Sequence, residues 1–420
     1  MDDVIIIGGG PAGSTAGSYL SKAGIKNVIF ESSNHPRAHV GESMVTSTTR
    51  VFRDIGFLEV MEREGFVRKY GASWHAPNGR EFAIEFKEFP QPGVDQDYTY
   101  HVDRSKLDLL LLKHAEKLGS KVYQGVHVKQ VLFDGSRARG VRVNLNGKEI
   151  DLEAKMVVDA SGRNTLLGNQ LKLKVKDPIF NQYAVHAWFD DVQRGEGHSA
   201  DFIHIYFLKI ERGWVWQIPI TDKITSVGVV ADRNVIREAQ LDLEGYFNKY
   251  IVTNPDLTRA MQHARRINEF KTEGDYSYSL AKFVGDGFIC IGDAARFVDP
   301  IFSSGVSVAL TSAKYASERI RMAFEQDDFS EAMFKPYEDR VRGGVGVWYE
   351  FIRLYYKLLP LFTHFIQSKH HRIEVLRLLQ GEVYDRTQVP VLDAMREYIR
   401  AVEQSEDHLL KSSLTSMPID

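Results

Sequence analysis

The sequence predicts an α/β fold in which a Rossmann-like dinucleotide-binding domain is interleaved with a mixed β-sheet domain and followed by a C-terminal helical region. Three observations carry this prediction. Residues 1–31 read as strand, glycine turn, helix and strand. Strand-like alternation then dominates 121–150 and 180–232, yet a second strand–glycine–helix unit returns near 287–324. From 331 onward the pattern is helical and rich in aromatics.

The first unit is a short β-branched run, Val4 to Ile7, meeting Gly8-Gly9-Gly10-Pro11-Ala12-Gly13 and then a helical pattern through Ala16, Tyr19, Leu20 and Ala23. A second strand from Asn27 closes on the acid Glu31. The spacing Gly8-x-Gly10-x-x-Gly13 in that context is a dinucleotide fingerprint. Gly8 permits the tight turn, Gly10 lets backbone approach a pyrophosphate, and Gly13 allows helix and strand to pack closely. Glu31 can accept from a ribose hydroxyl, and the helix N-terminus, opening with Pro11 and Ala12, faces the phosphates. Glycine-rich turns alone are common; the surrounding strands, helix and acid make this one specific.

Further on, 106–119 forms a helix with Arg104 just before it, and 131–150 forms a small β-meander with turns at Asp134-Gly135 and Asn146-Gly147. A buried strand over 155–159 ends in Asp159-Ala160-Ser161-Gly162. Residues 180–232 form a larger antiparallel sheet, and helices return at 235–263. The strand 287–291 runs into Gly292-Asp293-Ala294-Ala295, then Asp299-Pro300-Ile301-Phe302-Ser303-Ser304-Gly305 and a helix to about Phe324. The stretch 347–366 is apolar but broken by Glu350, Arg353, Lys357 and Pro360, which reads as a helix packed on protein rather than a membrane span. The last dozen residues are polar and expected to be loose.

Composition narrows the function classes. At about 150 residues per domain, 420 residues suggest two or three units. Hydrophobic residues at 43% and charged ones at 26% exclude disordered and fibrous classes. A net charge of −3 gives no field to gather nucleic acid, so no nucleic-acid partner is expected. The single Cys290 lies within an apolar strand as a packing residue, allows no intramolecular disulfide and fits a reducing compartment. The N-terminus carries two acids and only a short apolar run, so no export signal is read and the cytoplasm is the expected location. No histidine or carboxylate spacing suggests a metal site.

Gly292-Asp293 beside a helix opening at Ser303-Ser304-Gly305 points to FAD rather than NAD. An acid there can hold a ribityl hydroxyl while the positive helix end faces the flavin pyrimidine, where charge collects on reduction. With the N-terminal fingerprint and the Asp159 turn, the chain resembles FAD-dependent monooxygenases of the para-hydroxybenzoate hydroxylase type. Three local sequences narrow the resemblance to flavin-dependent halogenases: Gly41-Glu42-Ser43; the segment 65–72 containing Lys69; and Trp214-Val215-Trp216-Gln217-Ile218-Pro219, matching that family's WxWxIP motif. The stretch 299–306 also looks like the halogenase version of the segment after Gly-Asp-Ala. The resemblance covers about 1–330.

The resemblance implies a discontinuous FAD-binding domain (1–70, 101–178 and 280–330), a substrate-side β-sheet domain (71–100 and 179–279) and a helical region (331–420). It implies that Ser43, Arg104, Val128, Gly292, Asp293, Gly305 and Val306 join the fingerprint residues in holding FAD. Reduced FAD would come from a separate flavin reductase, react with oxygen to a C4a-hydroperoxide, and oxidise a halide held by the N–H groups of Ser304 and Gly305. Lys69 would then hold or carry the hypohalous acid, and Trp214 and Trp216 would shield the flavin from direct approach of substrate. Without the motif, Lys69 beside Arg68 reads as solvated surface, Trp214 and Trp216 as one face of a packed strand, and Ser303 and Ser304 as helix caps.

Tryptophan halogenases carry a glutamate just before the halide-site glycine; here the residues are Phe302-Ser303-Ser304. That departure implies the phenol and pyrrole branch, whose electron-rich aromatic substrates are often tethered to carrier proteins. Three other readings compete: an FAD-dependent aromatic hydroxylase, a reductase similar to geranylgeranyl reductases, and a non-catalytic flavin-binding partner protein.

Overall fold

The computed structural model describes residues 3–90, 97–274, 277–386, 388–405 and 408–419. Its nucleotide-binding sheet runs in the order Val284–Gly285, Phe288–Cys290, Met156–Asp159, Val4–Ile7, Asn27–Glu31 and Lys121–Gln124. The four central pairings are parallel, and the Val284–Gly285 edge strand is antiparallel. Every residue of Val4–Ile7, Asn27–Glu31 and Met156–Asp159 is buried, as parallel strands covered on both faces require. The helices Pro11–Lys22, Arg104–Leu118 and Ser304–Gln326 pack around it. Cys290 is fully buried in this sheet.

The meander forms its own antiparallel sheet, Lys148–Glu153, Arg137–Leu145 and His127–Asp134. The larger, eight-stranded sheet is built mainly from Gln182–Asp190, Thr225–Asp232, Trp214–Pro219, Ile203–Phe207, Gly71–His75 and Glu81–Glu85. Its neighbours are antiparallel except for Ile203–Phe207 beside Gly71–His75, which run parallel. Side-chain alternation gives this sheet two faces. Trp74, Ile203, Ile205, Trp214 and Trp216 join the main core with the nucleotide unit and C-terminal helices. Val185, Tyr206, Val215 and Val227 pack instead on helix Leu243–Ile251 through Tyr246 and Phe247.

The expected division at 70 falls between Val67–Lys69 and Gly71–His75, which belong to different sheets. Val67–Lys69 pairs with Thr99–His101 in a separate two-stranded sheet.

The C-terminal region is led by a 28-residue helix, Glu331–Leu358. Its buried face carries Trp348, Phe351, Tyr355 and Tyr356, and a 3₁₀ turn containing Pro360 follows it. The tail departs from the loose end expected of its polar composition. The Thr415 N–H donates to the Lys357 carbonyl at 3.1 Å and its hydroxyl to the Tyr356 carbonyl at 2.8 Å. These carbonyls lie in the last turn of the helix, where no intrahelical donor remains, and buried Met417 anchors the tail beyond them. Among the described residues, no helix is long and apolar enough to cross a membrane.

Candidate active site

One cavity of about 940 Å³ runs along the C-terminal ends of the parallel strands and under the eight-stranded sheet. At its first end the glycine turn adopts the geometry the fingerprint demands. Gly8 has φ +103°, and a Cβ there would lie 2.4 Å from the Ala160 carbonyl oxygen. A Cβ on Gly13 would lie 1.9 Å from the Gly8 carbonyl oxygen, so Gly13 serves packing and does not line the cavity. Gly10 faces open space, its nearest neighbour being Arg37 Nη2 at 3.7 Å, and no side chain caps the helix behind it. Glu31 accepts from the Gly9 N–H at 2.7 Å and the Ser33 N–H at 2.9 Å, with Arg37 at 3.9 Å. Its carboxylate thus fixes the turn as well as facing the cavity. Val128, on the meander, lines the same end.

The middle of the cavity joins the two strand–glycine units. Gly292 has φ +56°, donates its N–H to Ser312 Oγ at 2.9 Å, and packs against Ala12. Asp293 next to it lines the cavity, and burial pushes its carboxyl up to about 6, against the pull of Arg163 and Arg104. Arg104 is itself buried, locked to Asp108 at 2.8 and 3.1 Å and to the Val40 carbonyl at 2.6 Å. It is the first residue of its helix rather than one before it. Opposite, Ser303 sits in the left-handed region at φ +55° and makes no side-chain cap, so it does not serve as the cap its residue type suggests. The helix it precedes presents Ser304, Gly305 and Val306 to the cavity.

Two indoles close the far wall. Trp214 and Trp216, both buried, face the cavity with ring centroids 6.0 Å apart. Trp214 donates to the Tyr356 hydroxyl at 3.0 Å, which donates to Asp299 at 3.1 Å; burial raises the Asp299 carboxyl to about 7. Trp216 donates to Ser226 Oγ at 3.1 Å and lies over Gly228, where a Cβ would come within 2.2 Å of its ring. Register Trp216↔Gly228 therefore makes room for the indole, a role no local pattern at Gly228 reveals.

Lys69 is buried rather than solvated, because on Val67–Lys69 the alternation sends Arg68 outward and Lys69 inward. Its amine donates to Ser43 Oγ at 2.9 Å and to the Met44 carbonyl at 2.8 Å, with the Phe86 ring centroid 5.6 Å away. Burial lowers its ionisation to about 7. Lys69 lies behind the cavity wall, and Ser43 is the residue that reaches the cavity. Beside Ser43, Glu42 also lines the cavity; it accepts from Trp188 Nε1 at 2.6 Å and bonds Ser226, while burial raises its carboxyl to about 7. His101, bridged to Ser43 across the backbone, is fully buried and kept neutral by burial and the neighbouring Lys69. Glu42 is a cavity residue that sequence reasoning did not assign, although it stands inside the Gly41-Glu42-Ser43 motif, and His101 and Ser226 are buried partners behind Ser43 and Glu42.

A cavity that is bare backbone over Gly10, carboxylate at Glu31 and Asp293, and open helix end at Ser304 and Gly305 fits FAD. The chain matches the family described as "FAD binding domain" over residues 1–341. It is 47% identical to the 1H-pyrrole-2-carbonyl-[peptidyl-carrier protein] chlorinase of Pseudomonas fluorescens, over 99% of this chain and 97% of that protein. It is 33% identical to the corresponding brominase of Pseudoalteromonas luteoviolacea, over 91% of this chain and 92% of that protein. Among solved structures, the flavin-dependent brominase Bmp2 superposes with a TM-score of 0.88 at 30% identity, covering 96% of this chain and 99% of that one. Glycine cradle, indole wall, buried lysine and these likenesses together show that the chain belongs to the flavin-dependent halogenases within the FAD-binding-domain family.

Proposed function

We propose that this chain halogenates a pyrrole ring presented as a thioester on a peptidyl carrier protein, with reduced FAD delivered by a separate flavin reductase. The observation that carries the substrate assignment is the 47% identity, over nearly the full length of both proteins, to a chlorinase of that substrate class. The cavity supports it chemically: the indole wall is apolar and aromatic, and the ionisable groups beside it are buried and held near neutrality.

The FAD unit is assembled from 1–70, 101–178 and 280–330. Gly10, Pro11 and Ala12 would hold the pyrophosphate of FAD, Glu31 a ribose, Asp293 the ribityl chain with Arg104 bracing the wall, and Gly305 and Val306 the pyrimidine edge. Reduced FAD, when bound, supplies the electrons by which oxygen converts a halide into an electrophilic halogen species. The halide is held by the N–H groups of Ser304 and Gly305, an uncapped helix start that favours an anion. Trp214 and Trp216 keep the substrate ring off the flavin, so halogen rather than oxygen is transferred.

Lys69 acts on the halogen species through Ser43. A neutral amine has two N–H groups, matched by the Ser43 hydroxyl oxygen and the Met44 carbonyl, so Ser43 accepts from Lys69 and its own proton is free to donate into the cavity, where it polarises the halogen species. Protonated, the same nitrogen still donates to Ser43 and makes that hydroxyl a stronger donor towards the cavity. Glu42 receives the proton that the ring releases as it regains aromaticity, a task suited to a carboxyl raised to about 7.

The test is direct. Carrier protein loaded with a pyrrole-2-carbonyl group is incubated with this protein, FAD, NADH, a flavin reductase, and chloride or bromide, and intact-protein mass spectrometry reads the product. Halogenated carrier-bound pyrrole is expected. An oxygenated product lacking halogen would refute the activity, and equal turnover of free pyrrole-2-carboxylate would refute the requirement for tethering.

A further inference from the structure

We propose that His75, His204 and Glu81 form a zinc site on the face of the eight-stranded sheet turned away from the flavin cavity. The sheet's register brings them together. His75 lies opposite Glu81 on the adjacent antiparallel strand, and the parallel partner strand sets His204 opposite Ser73 and Tyr206 opposite His75. The three side chains each offer one ligand atom, all within 4.8 Å of one another. His75 Nε2 is 2.9 Å from His204 Nδ1 and 3.9 Å from Glu81 Oε1.

Second-layer contacts hold the groups in metal-binding form. His204 Nε2 lies 2.9 Å from the Ser199 carbonyl, which can only accept; the proton is therefore on Nε2, and Nδ1 carries the lone pair. A ligating histidine is oriented in this way by a carbonyl partner on its far nitrogen. Ser73 Oγ donates to Glu81 Oε1 at 2.6 Å, the matching contact for a ligating carboxylate. The His75 ring is stacked on Tyr206, with centroids 4.4 Å apart, so its direction is fixed. The carboxylates Glu81 and Asp256 beside the imidazoles give the spot a field that favours a cation.

Two imidazoles and one carboxylate are a borderline-soft donor set that suits zinc and not magnesium or calcium. Tetrahedral zinc needs its ligand atoms roughly 3.3 Å apart. The imidazole nitrogens must part by a few tenths of an ångström, and the half-exposed Glu81 carboxylate must close by about 0.6 Å on His75 and by up to about 1.5 Å on His204. The proton now shared from His75 Nε2 to His204 moves to His75 Nδ1 when metal takes its place. The fourth position stays open to water. Such an ion would tie three strands whose opposite face carries Trp74, Ile203 and Ile205, so its role is to brace the wall of the cavity rather than to react.

The experiment uses untagged, FAD-loaded protein stripped with a chelator and titrated with zinc ion alone, with metal content read by elemental analysis. One zinc per chain is expected, with a rise in Tm of several degrees, and cobalt substitution should give the visible bands of a four-coordinate site. Glu81→Gln, at an exposed position that should not disturb folding, should weaken binding by about tenfold or more, and His204→Ala should abolish it. Absence of zinc uptake by the wild-type protein, or equal uptake by Glu81→Gln and wild type, would overturn the proposal and leave a hydrogen-bonded histidine pair.

Discussion

Replacing Lys69 with methionine should make the protein more stable while abolishing halogen transfer. The amine is lowered from 10.5 to about 7 with burial as its cause. That difference in proton affinity corresponds to roughly 5 kcal/mol, an upper bound. Between about pH 7 and the ordinary lysine range, the unfolded chain holds a proton that the folded chain has lost, so stability rises with pH across that window. Below about pH 7 both states are protonated and the penalty is present in full. Methionine fills similar volume without a charge, so it removes the penalty. It also leaves the Met44 carbonyl without its buried donor, at a cost of about 1–3 kcal/mol. The expected net gain at about pH 7 is about 2 kcal/mol, shrinking towards about pH 9.5. Urea unfolding of both proteins at the two pH values measures it, and mass spectrometry of the brominated product reads activity. A stability difference that does not change with pH would refute the neutral, buried lysine, and a variant that still brominates would remove Lys69 from the reaction.

Three other outcomes follow from contacts already described. Gly228→Ala would push a Cβ to 2.2 Å from the Trp216 ring; it should cost about 1–3 kcal/mol and raise the share of oxygenated over halogenated product, measured by denaturation and product analysis. Gly8→Ala places a side chain at φ +103° and 2.4 Å from the Ala160 carbonyl oxygen; FAD affinity should fall by about tenfold or more, read by flavin fluorescence titration. Deleting 414–420 removes the Thr415 bonds to Tyr356 and Lys357 and the buried Met417; a loss of about 2–4 kcal/mol is expected, and an unchanged Tm would show the docked tail to be irrelevant.

The fingerprint was legible because its chemistry is local: Gly8, Gly13 and Glu31 meet through turns and neighbouring strands, and each occupies the position its spacing demands. The same holds for Trp214 and Trp216, whose common face follows from alternation alone. What depends on pairing between distant strands was not legible. Gly228 acquires meaning only opposite Trp216, and Ser226 only beneath it. Lys69 looks solvated among its charged neighbours, although Arg68 and Lys69 must face opposite ways once 67–69 is a strand. His75 and His204 lie 129 positions apart and meet through a parallel pairing that no spacing rule anticipates. The tail was misjudged for a related reason: its partners are carbonyls at the end of a helix, which composition does not register.

The strand Trp214–Pro219 has a consequence for how selectivity can fail. Its cavity face holds both indoles, while the alternate residues face the other way: Val215 belongs to the opposite core, and Gln217 is held there, accepting from the Tyr206 hydroxyl at 2.8 Å and donating to the Gln193 carbonyl at 3.1 Å. A slip of one residue would exchange the two sets, sending valine and glutamine into the cavity and two indoles into a packed interior. No half-slipped arrangement satisfies both faces. On the proposed role of the two indoles as a flavin shield, that barrier behaves digitally: heating or denaturant should leave the ratio of halogenated to oxygenated product constant until the sheet itself unfolds, and only then should that ratio and the activity vanish together.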